Sequence, residues 1–153
     1  MNILFIHSNY PTQFKYLCQV LAADSRHEVV FLTGREVDQS ECYSGLKIRT
    51  FNQHRTPAQN THHYLSATEQ TILIGQAVIR EIDELLKSGF APDLIFAHAG
   101  NGLSLFIKDI LPSAKLIGYF EWFFRPETSC YLFPSFSIDD QLKVGVRNFP
   151  ILR

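Results

Sequence analysis

Short apolar runs that end in turn residues constrain this chain more than any other feature of its sequence. Asn2–Ile6, Glu28–Thr33 and Asp93–Ala97 each contain such a run and lack polar alternation, and Lys115–Phe120 predicts a further strand. Continuous apolar runs of this length are typical of strands that are buried on both faces of a parallel sheet. Leu46–Thr50 alternates instead and predicts a fifth, more exposed strand.

Apolar residues at helical spacing separate the predicted strands. They form one stripe over 14–22, a second over 65–86, a third over 103–110 and a fourth over 138–149. Strands that alternate with helices predict an α/β fold, here a Rossmann-like, open, mostly parallel sheet of about five strands with helices on both faces. In such a sheet, ligands bind beyond the carboxyl ends of the strands.

Local signals set the expected limits of the second helix and of the domain. Ser66 and Glu69 have the spacing of a capping box, with a first turn nearer Thr61 as the alternative. Gly75 is small enough for close packing against the sheet. Residues 1–137 are expected to form the sheet domain, and residues 138–153 a helical segment. Because the chain stays apolar almost to its end, we expect the sequence to stop short of a further domain.

Composition excludes several classes of protein. A formal charge of −1 and a pI near 6.6 offer no general attraction for nucleic acid. No uninterrupted apolar run exceeds four residues, so no transmembrane segment is predicted, while peripheral contact with a membrane stays open. The N-terminus lacks a signal-peptide pattern, and Cys18, Cys42 and Cys130 form no paired motif, which favours a reduced, cytoplasmic protein.

Patterns that bind phosphates or metals are missing where they would be expected. The turn His7–Thr12 after the first strand has no glycine, which excludes the G-x-G-x-x-G site of dinucleotide-binding sheets. The sequence also lacks a P-loop and a G-x-S-x-G nucleophile elbow. His54, His62 and His63 lie in a polar loop without a nearby cysteine, which favours solvated side chains over a zinc site. We therefore predict no metal and no cofactor.

The turn after the fourth strand is the first candidate for a binding site. His98–Gly102 reads His-Ala-Gly-Asn-Gly and is predicted to open a helix. Two glycines let a ligand approach the backbone, helix N–H groups can hold an anion or a sugar hydroxyl, and His98 can exchange a proton near pH 7. The alternative is a tight turn in which His98 has only local hydrogen bonds.

An aromatic run around a carboxylate follows the fifth strand. Tyr119–Arg125 carries five aromatic rings together with Glu121 and Arg125. Such rings stack on the apolar faces of sugars or fill an interface between domains, and core packing is the alternative. Because a continuous run cannot face inward throughout, we expect some rings to be exposed to a ligand, a partner domain or a membrane surface.

Several strings of the sequence resemble the N-terminal domain of glycosyltransferase family 4. They are Met1–Phe14, His27–Val30, Thr61–Leu65, Gly75–Val78, Gly89–Asp93, Phe106–Asp109 and Gly118–Glu121. In their order and spacing they are similar to a bacterial subgroup of that family, and the resemblance extends from Met1 to about Asn148.

The resemblance implies one half of a GT-B glycosyltransferase, in which two Rossmann-like domains face each other across a cleft. Such enzymes transfer a sugar from a nucleotide-sugar donor, usually with retention of anomeric configuration and without a catalytic metal. The N-terminal domain mainly holds the sugar acceptor, and the C-terminal domain carries most of the donor site. This chain would supply the acceptor side, reach the nucleotide-sugar through a missing C-terminal domain, and be inactive by itself.

The resemblance also places individual residues. By it, Ser8–Thr12 face the cleft, His98 lies near the transferred sugar as the catalytic residue, and Gly100 and Gly102 line the same wall. With the residues singled out from the turn and the aromatic run, the candidate cleft positions are Ser8, Asn9, Thr12, Gly100, Asn101, Gly102, Glu121 and Arg125.

The sequence departs from the pattern of the subgroup at three positions. Glycine stands there in place of Thr12, tryptophan in place of Asn101, and an acidic residue in place of Leu103. The first change narrows access to the backbone, and the other two remove sugar contacts. Two other functions stay open: a non-catalytic interaction module that docks a partner through the aromatic run, and another nucleotide-sugar enzyme of the same fold, such as an epimerase.

Overall fold

A five-stranded, all-parallel sheet forms the centre of the computed structural model, which describes residues 1–125, 127–128 and 137–148. Its strands are β1 (Asn2–His7), β2 (Glu28–Thr33), β3 (Leu46–Thr50), β4 (Leu94–His98) and β5 (Lys115–Tyr119), in the spatial order β3-β2-β1-β4-β5. The order reverses between β1 and β4, where open α/β sheets bind ligands. The predicted α/β class and the predicted open, parallel sheet are confirmed.

Helices cover both faces of the sheet, as predicted. They are α1 (Lys15–Ala23), α2 (Ser66–Lys87), α3 (Ile107–Ile110) and α4 (Ile138–Arg147). Because successive side chains of a strand point to opposite faces, Ile3 and Phe5 pack with α1, whereas Leu4 and Ile6 pack with α2 and α3. All four side chains are fully buried, and each contributes roughly 1.5–3 kcal/mol to folding by leaving water.

The start of α2 differs from the prediction. No side chain caps the helix at Leu65, and Ser66 is its first residue, so the predicted capping box of Ser66 and Glu69 is wrong. The Glu69 carboxylate instead accepts a hydrogen bond from the Thr61 hydroxyl and pairs with Arg55 at 2.6 Å. Glu69 therefore holds the preceding loop against the helix and does not cap the helix itself.

The turn that follows β4 is longer than the sequence pattern indicates. Residues 101–106 form successive turns, and α3 is a single helical turn that begins only at Ile107. A helix N-terminus at Gly100, which could have held an anion, is therefore not formed. Gly75 packs closely as predicted, but against this turn and not the sheet: a Cβ there would lie 2.9 Å from the ring of Phe106.

Helix α4 begins with a capping box. The hydroxyl of Ser137 accepts the N–H of Asp140, and the Asp140 carboxylate accepts the N–H of Ser137. Val144 is the buried residue of this helix, whereas Leu142, predicted to belong to its apolar stripe, is exposed. Residues 149–153 of the predicted 138–153 segment, Phe149 among them, lie outside the described residues. The division at residue 137 stays a prediction.

Among the described residues, no helix is long and apolar enough to span a membrane.

Candidate functional site

A cavity of about 340 Å³ lies beside the carboxyl ends of β4 and β5. Its walls come from the first turns of α2, the turn after β4, the aromatic segment after β5 and the end of α4. Small-ligand sites occupy about 300–1,000 Å³ and combine apolar walls with a few polar groups. This cavity has that size and that composition, with Trp122 and Phe124 among its aromatic residues and Glu121 as a charged one.

His98, at the end of β4, has a protein partner at each ring nitrogen. The N–H of Gly100 donates to Nδ1 at 3.0 Å, which leaves the ring proton on Nε2, and Nε2 donates to Oε2 of Glu121 at 3.0 Å. The side chain of His98 is 10% exposed and that of Glu121 55%. The carboxylate of Glu121 is therefore the group available to a ligand, and His98 orients it.

Glycine is required at position 100 for this arrangement. A Cβ there would lie 2.7 Å from Cε1 of the His98 ring, closer than side-chain atoms approach each other. The missing side chain lets the turn fold back until its N–H reaches the imidazole. Gly100 thus fixes the tautomer of His98, and its role in admitting a ligand to the backbone stays a prediction.

His7, at the end of β1, and Gln13, in the 3-10 turn that follows, complete the polar group around Glu121. Gln13 donates from Nε2 to the second carboxylate oxygen, Oε1, at 3.3 Å. His7 packs edge-on against His98, with ring centres 4.9 Å apart. Burial of His7, together with the neighbouring His98, lowers the pKa of His7 below its usual 6.5. The ring of His7 is therefore neutral at pH 7 and places no positive charge beside the carboxylate of Glu121.

The cavity brings together some of the predicted site residues and not others. The residues on its wall are His98, Gly100, Asn101 and Glu121. Ser8, Asn9, Thr12, Gly102 and Arg125 follow strand ends at the same edge of the sheet but are not part of the cavity lining. The roles assigned to all of these residues stay predictions.

The residues outside the cavity have structural contacts of their own. The carbonyl of Ser8 accepts the N–H of Gly34 at 3.1 Å, and the side chain of Asn9 accepts the N–H of Tyr10 at 2.9 Å. Arg125 stacks over the ring of Phe123, with 5.8 Å from Cζ to the ring centre.

Thr12 and Gly102 both have positive φ angles, of 46° and 83°. The hydroxyl of Thr12 is buried and finds no hydrogen-bond partner among the described residues. At Gly102, a Cβ would lie 2.1 Å from the carbonyl oxygen of Thr71. Gly102 therefore serves the close contact between the turn and α2. Leu103, which replaces an acidic residue of the subgroup pattern, is buried in the core.

Sequence reasoning missed one side of the cavity. Thr68, Gln70 and Thr71 of α2 and Arg147 of α4 line it, and no local motif marks these residues. The prediction of exposed aromatic rings is confirmed, since Phe120 is 67% exposed and Trp122 41%. Within the described ranges, no cluster of His, Cys, Asp and Glu side chains could hold a metal ion.

An open parallel sheet with a cavity beyond the carboxyl ends of its strands defines a Rossmann-like α/β domain, a class that binds ligands at this edge of the sheet. The sequence model of the glycosyl transferase family 4 group matches residues 25–153. The chain therefore belongs to this family, and the resemblance seen in the sequence strings is confirmed at that level. The bacterial subgroup stays a prediction. Comparison with curated proteins gives no match, and comparison with solved structures gives none either.

Proposed function

We propose that this chain is the acceptor-binding half of a retaining glycosyltransferase that uses a nucleotide-sugar donor in the cytoplasm. Membership of the glycosyl transferase family 4 group supports a transferase. The observation that carries the proposal is the exposed carboxylate of Glu121, which His98 and Gln13 hold at the wall of an aromatic cavity. Sugars present hydroxyl groups to carboxylates and apolar ring faces to aromatic side chains.

In the proposed reaction, an acceptor hydroxyl attacks the anomeric carbon of the donor sugar. A bond forms between that oxygen and the anomeric carbon, the bond from the carbon to the donor diphosphate breaks, and the hydroxyl proton leaves with the diphosphate. Glu121 accepts a hydrogen bond from the acceptor and so orients it. Its negative charge also stabilises the positive charge that develops on the transferred sugar.

The donor nucleotide would bind outside this cavity, on a second domain. One feature of the chain supports this division. The turn after β1 has no glycine and contains Pro11, so it offers no close backbone approach to a diphosphate.

Sugar transfer from UDP-, GDP- and ADP-glucose to a panel of sugar acceptors tests the proposal. The chain alone should give no product, and a form joined to the donor-binding domain of a family 4 enzyme should transfer sugar. Glu121→Ala should abolish transfer in the joined form, while Glu28→Ala, a carboxylate at the opposite edge of the sheet, should not. Robust transfer by the 153-residue chain would contradict the division into halves. Conversion of the donor sugar without transfer would favour an epimerase.

A second candidate is a non-catalytic interaction module. The observation in its favour is the exposure of aromatic side chains within one short segment, since Phe120 is 67% and Phe123 43% exposed. Apolar patches on a surface mark contacts with partners. Gel filtration with detection of Trp122 fluorescence separates the two functions. A monomer whose emission responds to sugars supports the acceptor site, and a concentration-dependent assembly that shields Trp122 supports the module.

A further inference from the structure

The guanidinium of Arg147 lies at the cavity. Its Cζ is 4.3 Å from the centre of the Phe124 ring, and it has no salt bridge or hydrogen bond to a described residue. Arg147 is the one arginine or lysine among the described residues that line the cavity. We propose that the sugar bound in this cavity carries an anionic group, a phosphate or a carboxylate, and that Arg147 binds that group. This inference rests on the function proposed above.

Contacts at both ends of α4 hold Arg147 in place. At the start of the helix, the hydroxyl of Tyr64 donates to Asp139 at 2.6 Å. At its end, the Asn148 side chain accepts the N–H of Phe124 at 2.9 Å and donates to the carbonyl of the same residue at 2.6 Å. Phe124, whose ring the guanidinium covers, is therefore held by Asn148, the residue that follows Arg147. A cation positioned in advance loses little conformational freedom when it binds an anion.

The first turns of α2 add a hydrogen-bond donor to the cavity wall. Thr68 and Gln70 line the cavity, and α2 begins at Ser66 without a side-chain cap. The one carboxylate of that first turn, Glu69, is engaged by Arg55 and does not line the cavity. The amide of Gln70 has no hydrogen bond to a described residue and is free to donate to a ligand.

The two charges of the cavity lie at opposite ends of the aromatic segment. Within the run Tyr119–Arg125, Glu121 lies near the start and bonds to His98, whereas Arg147 stacks on Phe124 near the end. A sugar ring against Trp122 would then direct its hydroxyl groups to Glu121 and its anionic group to Arg147. A neutral sugar satisfies only the first of these contacts. A charged sugar in the reverse orientation would bring its anionic group next to the carboxylate of Glu121, and the two negative charges would repel each other.

Trp122 reports on this site directly, because it is the only tryptophan of the chain and it lines the cavity. Its emission is measured while the full chain is titrated with glucose, glucose 6-phosphate, glucuronate, inorganic phosphate and UDP. At least one of the two charged sugars should bind 10-fold or more tightly than glucose, and the difference should shrink as salt is added. Glucose 6-phosphate and glucuronate distinguish a phosphate from a carboxylate.

Substitutions of Arg147 test whether its guanidinium causes the preference for charged sugars over glucose. Arg147→Gln should remove the advantage of the charged sugar without changing the affinity for glucose, and Arg147→Lys should restore part of it. Arg26→Gln is the control, because Arg26 precedes β2 at the opposite edge of the sheet and does not line the cavity. It should leave all affinities unchanged. Circular dichroism of each variant shows whether the fold is retained.

Three outcomes overturn the inference. They are equal binding of charged and neutral sugars, absence of any response to the charged sugars, and a preference for UDP that depends on Arg147, which would assign the arginine to the donor. None of these decides whether the chain takes part in sugar transfer. If the joined form transfers no sugar while charged sugars still bind through Arg147, the anion site stands and the proposed function fails.

Discussion

The imidazole of His98 and the carboxylate of Glu121, separated by 23 positions in the sequence, meet at 3.0 Å. Their contact follows from the pairing of β4 with β5, in which His98 and Tyr119 are partners across the two strands. Since Glu121 comes two residues after Tyr119, the pairing of the strands delivers the carboxylate to the ring. The cavity therefore depends on the register of two adjacent strands.

Loss of the His98 ring should weaken sugar binding through Glu121. A hydrogen bond to a charged group contributes about 1.5–3 kcal/mol, so we expect His98→Ala to lower sugar affinity about 10-fold in Trp122 titrations. His98→Gln, which can still donate to Glu121, should recover part of the affinity. His62→Ala alters an exposed loop histidine and serves as the control. An unchanged affinity in His98→Ala would show that Glu121 needs no support from the ring.

Protonation of His7 should make stability fall at acidic pH. Its pKa is lowered in the folded state by burial and by His98, so the unfolded chain binds the proton more readily. The contribution of His7 to stability is therefore fully present above 6.5, the pKa of the ring in the unfolded chain. It is lost as the pH falls from there through the lower pKa of the folded state. The slope cannot exceed ~1.4 kcal/mol per pH unit for one proton.

Urea unfolding between pH 5 and 8 measures this slope, in experiments at about one-unit intervals. His7→Gln should flatten the curve relative to the native chain, whereas His54→Gln, an exposed loop position, should not. An identical slope in the native chain and in His7→Gln would show that His7 does not carry the effect.

Gly102→Ala should destabilise the fold much more than Gly89→Ala. Both glycines have positive φ, of 83° and 92°, so both substitutions add backbone strain of roughly 1–2 kcal/mol. Only at Gly102 would the new Cβ also clash, 2.1 Å from the carbonyl oxygen of Thr71, because nothing lies within 4 Å at Gly89. Thermal unfolding should show a lower Tm for Gly102→Ala, and equal Tm values would contradict the packing of the turn on α2.

Thr12→Gly should stabilise the chain. Thr12 has a φ of 46°, which costs roughly 1–2 kcal/mol for a residue with a Cβ, and glycine relieves it at an entropy cost of about 0.4–1 kcal/mol. Thr12→Ala removes the unpartnered hydroxyl but keeps the Cβ, so it isolates the backbone effect. We expect urea unfolding to show the glycine variant more stable than the alanine variant by about 0.5–1 kcal/mol. A more stable alanine variant would rule out backbone strain at this position.

The sequence determined the sheet and the family because both depend on patterns within short segments. The continuous apolar runs of β1, β2 and β4 indicate burial on both faces, which is a property of each strand alone. The positions of His98 and Glu121 at strand ends follow from the same patterns. The strings that resemble family 4 gave an identification that the family match over residues 25–153 confirms.

Only the tertiary structure decided which of these residues form a site and which form the fold. The capping box expected at Ser66 is absent, and Glu69 pairs instead with Thr61 and Arg55 of the preceding loop. Arg147 reaches the cavity because Asn148 ties the end of α4 to Phe124, 24 positions earlier. Contacts of this kind join segments that are distant in sequence. Their energy depends on the relative placement of whole elements, and no local pattern of residue types encodes that placement.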